Sequence, residues 1–524
     1  MCIVAPLDRL ASASVVFFGY RGDVSRLAVE RGVSRQSLYR QADSVRRDLD
    51  LLPHYHQQIA RLQLQVADLQ ARLQLLQAQQ FFHVFIDRDK QAEFASVAQA
   101  EGVSLPLSRR LLAIFLEART PSVAKLGRWT KAAARRATAT LEVLDELSRP
   151  LVKDAALDEL FSGRAPVLMA VELDSLAWVT GKLSASRDGE AWAEQLRKLP
   201  SLQFVSRDAG SGLDAGIALI NTQRVEKKQQ PLEDQDDHFH LLREGNRALR
   251  RLLGLASRAL EAADKADKKR AKVARQGRNQ SVTARAASRA WRKAEVAFDR
   301  YSAAEDAWKR VRQAVLPLFT PLGQLNNRAA AEAVLAAVLP ALHGEEWAKV
   351  RRLLKRPGFF TFLDRAARRL ATLKAPAELV QAAVEVEGSR RRPEATSGNS
   401  ASAAASRAVV LVAAVMLALA KDSGSATVSL VQGVLRRAWR ASSAVEGLNS
   451  IVRMHQGRHR RLTQGLLDLK RLNWNCRPLR TGRRKKQTPY GLLGLKLPTT
   501  DWWQLLKIPP QQLRQQLSAQ QGPP

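Results

Sequence analysis

Two hydrophobic patterns alternate along this chain of 524 residues. Short apolar runs at 166–174, which contains β-branched residues, and at 202–208 each end in an aspartate, so each predicts a buried strand with an acid at its end. Longer stretches repeat their apolar residues at helical spacing, and these stretches are 241–275, 282–319, 329–342 and 347–386. The pattern therefore predicts an α+β fold that is mostly α.

The N-terminal 50 residues have the rhythm of a helix-turn-helix. Asp23 is a candidate cap for the first helix, Gly32 can take the positive φ of the turn, and Ser34 is a candidate cap for the second helix. Residues on that second helix suit base edges and phosphates, and the DNA-binding candidates are Ser34, Arg35, Gln36, Ser37, Tyr39 and Arg40. The alternative is an ordinary helical hairpin.

The same spacing returns further along the chain. Ala98, Gly102, Val103 and Ser104 repeat the turn, and Ser122 is a candidate cap for another helix. This pattern predicts a second helix-turn-helix, winged or extended, between about 90 and 150, with plain helical packing as the alternative.

Between these two modules, apolar residues step by three and four residues in turn. They are Ile59, Leu62, Val66, Leu69, Leu73 and Leu76, and Gln and Arg surround them. Such a seam favours a short coiled coil that pairs two protomers, although packing as a hairpin against the same chain would also satisfy it.

The charge balance indicates the partner. The chain has 84 Lys and Arg against 50 Asp and Glu, a net charge of +34, so nucleic acid is the expected polyanion. An anionic membrane is the alternative, but the longest apolar run, 408–420, is short of the ~20 residues that a bilayer needs and is expected to be a buried helix. Asp8 and Arg9 interrupt the apolar N-terminus, so secretion is not expected, and we expect a cytoplasmic, nucleoid-associated protein.

Acidic residues supply the candidate chemistry. Asp174 and Asp208 end the two apolar runs, and Glu446 lies on a predicted helix within a basic segment. Three carboxylates on two strand ends and a helix can hold two divalent cations about 4 Å apart, the arrangement that clamps the attacking and leaving oxygens of a phosphodiester. Glu172 lies on the same strand face and is the alternative first acid. Acids at strand ends also commonly face solvent.

Basic residues accompany these acids. Segment 265–312 carries 15 basic and 5 acidic residues, and segment 436–486 carries 15 basic and 2 acidic residues. Phosphate contacts are expected from Arg453, His455, Arg458 and Arg460.

Two further segments have a composition of their own. Segment 388–406, rich in Ser, Ala and Gly, is expected to be a flexible linker, and Tyr490 and 501–503 are expected to form a docking tail.

Asp237-x-x-His240 completes the motifs, which in this order resemble those of the DDE transposases of bacterial insertion sequences. The Mutator and hAT groups, in which an all-α insertion interrupts an RNase H-like core, are nearest in plan. The resemblance implies that Asp174, Asp208 and Glu446 bind two Mg²⁺ or Mn²⁺ ions, and that Asp237 and His240 are accessory residues. Two features depart from the family: the first two acids are close in sequence, and segment 229–237 is polar where an apolar strand is usual.

These observations predict seven segments. They are a helix-turn-helix (1–50), a coiled coil (51–82), a second helix-turn-helix-like domain (83–160), an RNase H-like core in two parts (161–245 and 407–480), an all-α insertion with linker (246–406) and a C-terminal tail (481–524).

The function that this organisation favours is that of a DNA transposase. Such an enzyme cleaves at the element ends and transfers the freed 3′-hydroxyl to target DNA. Its partners would be the double-stranded DNA of the element ends and target and further copies of the chain, as a homodimer or higher oligomer, with no membrane. The alternatives are a non-catalytic DNA-binding regulator derived from a transposase and an RNase H-like structure-specific nuclease.

Overall fold

A computed structural model describes residues 6–82, 86–397, 400–458 and 462–521, except the side chains of residues 6–7, 76–82, 454–458 and 520–521. The chain forms two compact units, residues 1–88 and residues 89–524. The described residues are mostly helical and include one five-stranded sheet. The α+β, mostly α class expected from the sequence is confirmed.

The first unit contains three helices: α1 (Pro6–Phe18), α2 (Asp23–Glu30) and α3 (Arg35–Phe82). Gly32 has a φ of +62°, as the turn requires, and the Ser34 hydroxyl accepts a hydrogen bond from the Ser37 amide at 3.1 Å. The expectation for Asp23 was wrong, because Gly22 occupies the cap position of α2 and the Asp23 carboxylate accepts from the Tyr20 amide.

The second helix of the expected helix-turn-helix, α3, is much longer than expected. α3 has 48 residues, so the helix that begins at the turn continues without a break through the apolar seam. Its first part packs against α1 and α2 through Leu38, Ala42 and Val45, which are buried. The expected helix-turn-helix and coiled coil therefore share one helix.

The second unit begins with α4 (Arg88–Ala100), α5 (Leu105–Leu116) and α6 (Val123–Ser148). Gly102 has a φ of +86°, and Ser104 and Ser122 cap α5 and α6 through side-chain hydrogen bonds. The repeated Gly-Val-Ser spacing thus forms the same turn twice.

The sheet follows in the order β3-β2-β1-β4-β5. Its strands are β1 (Asp154–Ser162), β2 (Ala165–Glu172), β3 (Trp178–Leu183), β4 (Phe204–Arg207) and β5 (Glu233–Asp236). The first three strands are antiparallel neighbours, whereas β4 runs parallel to β1 and β5 runs parallel to β4. Two helices, α7 (Gly189–Arg197) and α8 (Ser211–Glu226), pack on one face of the sheet.

β1 was not expected, because residues 150–160 were assigned to a helical domain. Its sequence carries Asp158 and Glu159 in adjacent positions, which breaks the apolar run that signals a buried strand. Both acids have partners: Asp158 accepts from Asn449, and Glu159 accepts from Arg187 and from the Trp192 indole. The central strand of the sheet is therefore one whose hydrophobic signal is interrupted by two acids.

β5 explains the polar segment at 229–237. Its residues are acids and one glutamine, and arginines neutralise the acids: Arg365 pairs with Glu233, Arg207 with Asp234, and Arg356 with Asp236. Ion pairs therefore stabilise β5 in the sheet, in addition to its backbone hydrogen bonds to β4.

A large helical unit lies between β5 and the helix that carries Glu446. Its α-helices are α9 (His238–Arg275), α10 (Ser281–Arg310), α11 (Arg328–Val338), α12 (Glu345–Leu354), α13 (Thr361–Ala371), α14 (Ala377–Arg391), α15 (Ala401–Leu419) and α16 (Lys421–Arg436). They share one hydrophobic core around Trp308, Trp347 and Phe362. Because α15 and α16 contribute to this core, the helical unit extends beyond the expected boundary at residue 406.

Segment 388–406 is not the flexible linker that was expected. The end of α14, a short 3-10 turn (Pro393–Ala395) and the start of α15 occupy most of its described residues. Gly388 is buried, and a β-carbon there would lie 2.0 Å from the Gly323 carbonyl oxygen. The alanines that made this segment look like a linker also have the highest helix propensity. Packing decides which of the two structures the segment adopts.

α15 also differs from the buried helix that was expected at 408–420. Its Leu411, Val412 and Leu419 are 66%, 60% and 77% exposed, while Ala413 and Leu417 pack inward. By length and composition alone, this helix is long and apolar enough to cross a membrane, and it is the one such helix among the described residues.

The remaining helices return to the sheet and to α6. They are α17 (Ser443–Arg458), α18 (Gln464–Cys476), α19 (Pro489–Leu493), α20 (Trp502–Leu505) and α21 (Pro510–Gln521). α17 covers the sheet face opposite α7 and α8. The C-terminal segment packs against α6 and α18 of the same chain through Tyr490, Trp502 and Trp503.

Candidate active site

Asp158 is the buried acid at the centre of the sheet. It lies on β1 between Ala156 and Leu160, which face α17, so its side chain points to that helix as well. The Asn449 amide on α17 donates a hydrogen bond to Asp158 Oδ2, and the backbone amide of Glu159 donates one to Oδ1. Because Asn449 is fully buried, this contact fixes α17 to the middle of β1.

Asp208 lies beside Asp158 because of the strand register. Leu157 on β1 pairs with Arg207 on β4 in the parallel part of the sheet, so the next residue on each strand is an aspartate. Asp208 is half-buried, and its Oδ1 accepts from the Gly210 amide at 3.2 Å. Asp158 and Asp208 are thus neighbours in the strand register at the carboxyl end of β4.

The pKa of Asp158 reflects its burial and, to a smaller extent, the nearby Asp208 charge. Together they raise the pKa of Asp158 to about 6, although the hydrogen bonds from Glu159 and Asn449 oppose the rise. A carboxylate that is costly to ionise beside another carboxylate would be stabilised by a cation.

Asp237 and His240 lie at the start of α9, on the same side of the site. The Asp237 carboxylate caps α9 by accepting from the Phe239 amide, and it also accepts from His240 Nδ1 at 2.7 Å and the Ser442 hydroxyl at 2.6 Å. These hydrogen bonds lower the pKa of Asp237 despite its burial. The bond to Asp237 raises the pKa of His240, and the charges of Asp208 and Asp158 raise it further.

Glu446 lies in the first turn of α17, one turn before Asn449, and therefore on the same side of the helix. Its carboxylate is half-buried and lies 3.7 Å from Arg453. The helix that holds Asn449 against Asp158 is thus also the helix that carries Glu446.

Asp174 lies elsewhere, which corrects the expectation that it would converge with Asp208. It follows β2, on the other side of β1 from β4, and the preceding residue, Leu173, is hydrogen-bonded to Asp154 at the opposite end of β1. Its carboxylate pairs with Arg437 at 2.6 Å. The alternative, Glu172, is buried and accepts from the Ser175 amide and hydroxyl, both at 2.6 Å, so it stabilises a turn.

The donor set at the site fits a divalent cation. Asp158, Asp208 and Glu446 offer carboxylate oxygens, which Mg²⁺ and Mn²⁺ prefer, and the unfavourable proximity of Asp158 and Asp208 is what a cation would relieve. As the side chains stand, the described residues include no group of three His, Cys, Asp or Glu already gathered to hold a metal. Glu446 instead faces Arg453.

The expected DNA-binding residues divide into two groups. On α3 and the turn before it, Ser34, Arg35, Gln36, Tyr39 and Arg40 are exposed, and Ser37 is half-buried. On α17, the Arg453 side chain is 57% exposed. The side chains of His455 and Arg458, and the whole of Arg460, lie outside the described residues.

The basic segment at 265–312 covers the outer part of α9 and the whole of α10, which pack against each other. α9 leads away from the site and α10 returns, with the turn at Gly277, where φ is +64°. Residues 265–293 carry 11 basic residues and one acid. The aromatic residues serve the helices themselves: Trp308 is buried in the core, and the Trp291 indole donates to Asp267.

Comparison with known proteins gives no match: no family model, no curated protein and no solved structure is similar to this chain.

Proposed function

We propose that the chain is a DNA transposase with an RNase H-like catalytic core. The observation that carries this proposal is the register of β1 and β4, which places Asp158 beside Asp208, together with the packing of α17 on the same face of the sheet. Three antiparallel strands, a helix and a parallel strand follow in the β-β-β-α-β order that the resemblance implies. In this proposal the helices α9 to α16 are the insertion.

The first acid of the triad is then Asp158 rather than Asp174. The interval from the first acid to Asp208 now contains two strands and a helix, β2, β3 and α7. The short spacing that departed from the family disappears with this assignment. The triad becomes Asp158, Asp208 and Glu446.

The proposed reaction has two steps, hydrolysis and strand transfer. Water attacks the scissile phosphorus, and the bond to the 3′-oxygen breaks, which leaves a 3′-hydroxyl on the element end. That hydroxyl then attacks a phosphorus of target DNA, and the target strand's own 3′-oxygen leaves. Bound Mg²⁺ or Mn²⁺ would supply stabilisation of the attacking and leaving oxygens.

The chain's own groups hold the reactants. Asp158, Asp208 and Glu446 would hold the two cations, and Asn449 keeps the Asp158 carboxylate in one orientation. His240 is fixed by Asp237, and its raised pKa favours the charged imidazolium. That charge beside the acids is suited to binding a phosphate oxygen of the scissile strand.

DNA away from the chemistry would contact the basic outer part of the α9–α10 hairpin. Eleven basic side chains against one acid in residues 265–293 would repel one another unless a polyanion neutralised them. Asp237 caps α9, and His240 lies in its first turn. The α9–α10 hairpin therefore leads directly from the site to the basic surface.

Nicking and joining of duplex DNA that carries the sequences flanking the gene test the proposal. Wild-type protein with Mg²⁺ or Mn²⁺ is expected to nick at defined positions and to join the 3′ ends to target DNA. Asp208→Ala and Glu446→Ala should abolish both reactions and retain binding, whereas the control Asp422→Ala, an exposed acid on α16, should retain both.

The alternatives give different results in the same assay. A regulator without chemistry would bind the DNA and leave it intact with either cation. A structure-specific nuclease would cut without needing the flanking sequences and would give no joined product. Nicking by Asp208→Ala at the wild-type rate would contradict the catalytic assignment.

A further inference from the structure

The candidate DNA-reading segment, residues 34–40, runs directly into the apolar seam on one helix. α3 begins at Arg35, immediately after the turn, and continues to Phe82. Beyond Val45 it has no packing partner among the described side chains, because every side chain from residue 46 to residue 75 is exposed. A lone helix of this length in water is only marginally stable.

The exposed part carries a heptad seam. The a and d positions from residue 52 are all apolar and about half exposed in the described part: Leu52, Tyr55, Ile59, Leu62, Val66, Leu69 and Leu73, between 41% and 63% exposed. The seam spans about three heptads, or roughly 30 Å at 1.5 Å per residue. A continuous exposed apolar stripe of this kind indicates a partner helix.

The flanking positions favour a second copy of this chain as the partner. The e and g positions beside the seam are glutamines apart from one histidine and one arginine: His56, Gln58, Gln63, Gln65, Gln70, Arg72 and Gln77. Two copies can therefore pair without like-charge contacts, despite a net charge of +34 on each chain. An acidic or basic partner helix would find almost no charge to pair with.

The core positions favour a parallel dimer. Ile59 and Val66 occupy a positions, and Leu62 and Leu69 occupy d positions, the combination typical of parallel two-stranded coiled coils. In a parallel pair, both reading segments lie at the same end of the coiled coil. Pro53 lies there too and removes one helical hydrogen bond, so the helices can bend apart where the seam begins.

We infer that two copies pair in parallel and in register through this seam, and that the pair reads a two-fold symmetric DNA site, one half-site per copy. The DNA part of this inference rests on the proposed function. A two-fold axis along the coiled coil relates the two reading segments, so their half-sites must be inverted repeats. Because reading segment and seam lie on one helix with no loop between them, the two half-sites should have one preferred spacing.

The oligomeric state tests the seam without DNA. Full-length protein, measured by light scattering after size-exclusion chromatography, is expected to have twice the monomer mass of 58.1 kDa. Leu62→Glu with Leu69→Glu should give a monomer. The matched control is Leu64→Glu with Leu75→Glu, on the same helix but off the seam, and it should remain dimeric. A monomeric wild type would overturn the inference.

Cysteine crosslinking tests the parallel register. In a Cys2→Ser background, in which the remaining Cys476 is buried, Leu73→Cys should form a disulfide between copies on oxidation. Leu75→Cys, off the seam, should not. A dimer in which Leu73→Cys fails to crosslink would contradict the parallel arrangement.

Selection from duplexes with a randomised 30-base-pair region, a length of about three turns of DNA, tests the reading of DNA. Wild-type protein should enrich inverted repeats with one fixed spacing. The Leu62→Glu/Leu69→Glu variant should bind the enriched duplex at least tenfold more weakly. A dimer that enriches single or directly repeated motifs, or none, would overturn the two-fold reading. Failure of the catalytic proposal would instead appear as a dimer that selects inverted repeats and never nicks DNA.

Discussion

At the scale of residues, the site depends on one acid that sequence patterns did not reveal. Asp208 was a candidate because it ends a short apolar run, and Glu446 because it lies in a helix within a basic segment. Asp158 lies inside a strand whose neighbouring positions include Glu159 and Asp154, so its sequence resembles a surface segment. Its burial depends on Asn449, which is 291 positions away in sequence.

Asp158 should make the metal-free protein less stable at high pH. Its folded pKa of about 6 lies above the ordinary value of 3.8, so its contribution to stability is complete below the ordinary value and is lost as pH rises through about 6. Asp158→Asn removes this loss. It should raise the free energy of unfolding at pH 8 by up to about 3 kcal/mol, since each unit of pKa shift corresponds to about 1.36 kcal/mol.

Urea denaturation in EDTA at pH 8 and pH 5 measures this difference. The stabilisation that Asp158→Asn gives should be smaller at pH 5, because Asp158 is mostly protonated there in the folded wild type. The control, Asp174→Asn, breaks a partly exposed ion pair with Arg437 and should cost less than about 1 kcal/mol. A gain from Asp158→Asn that is the same at both pH values would contradict the assignment of the buried charge.

At the scale of elements, turn chemistry was the most predictable feature. Gly32 and Gly102 both adopt positive φ, and Ser104 and Ser122 both cap helices, since each depends on local geometry alone. Where helices end and how exposed they are depended on partners distant in sequence. The exposed face of α15 was therefore not predicted, and neither was the unbroken continuation of α3 from the turn into the seam.

The reading segment of α3 should determine sequence preference. Replacing Arg35 and Gln36 with Ala should weaken binding to the selected duplex by about 1–3 kcal/mol for each base edge that the protein then fails to bind, and should affect unrelated duplex much less. Arg46→Ala with Arg47→Ala, exposed on the same helix, is the matched control. Equal weakening on both duplexes, in titrations at one salt concentration, would show that Arg35 and Gln36 bind only the DNA backbone.

The α9–α10 hairpin should bind DNA without sequence preference. Lys265, Lys269 and Lys272 are exposed on its outer part, and replacing all three with Gln should weaken binding to every duplex alike. The slope of log affinity against log salt should fall by roughly 0.9 for each phosphate that the variant no longer neutralises. The control replaces three exposed lysines elsewhere, Lys227, Lys355 and Lys374. An unchanged slope for the hairpin variant would show that DNA does not reach it.

At the scale of the whole molecule, ion pairs join the helical unit to the sheet. Arg356 pairs with Asp236 and Asp214, and Arg365 pairs with Asp154 and Glu233. The composition predicted a basic, DNA-binding protein but could not separate arginines that bind the chain itself from those that face solvent. Several arginines that composition alone would assign to DNA instead neutralise the polar strand β5.

Arg356→Ala should therefore destabilise the second unit as a whole. The substitution leaves Asp236, which is 4% exposed, without its partner from the helical unit but still paired with Arg207. The cost should therefore stay below the about 3–5 kcal/mol of a buried charge left without any partner, yet exceed that of breaking an exposed pair. Arg368→Ala breaks an exposed pair with Glu233 and should cost less than about 1 kcal/mol. Thermal unfolding of both variants measures the difference, and equal melting temperatures would contradict this role of Arg356.

The central claim is that Asp158, and not Asp174, is the first acid of a cation-binding triad. Its most direct test is the rate of Mg²⁺-dependent nicking of duplexes carrying the sequences that flank the gene, compared between Asp158→Asn and Asp174→Asn. The Asp158→Asn variant should bind DNA normally, and its nicking rate should fall by at least about a thousandfold, as happens when one residue of a cooperating catalytic set is replaced. The Asp174→Asn variant should nick at the wild-type rate. Wild-type nicking by Asp158→Asn would contradict the claim.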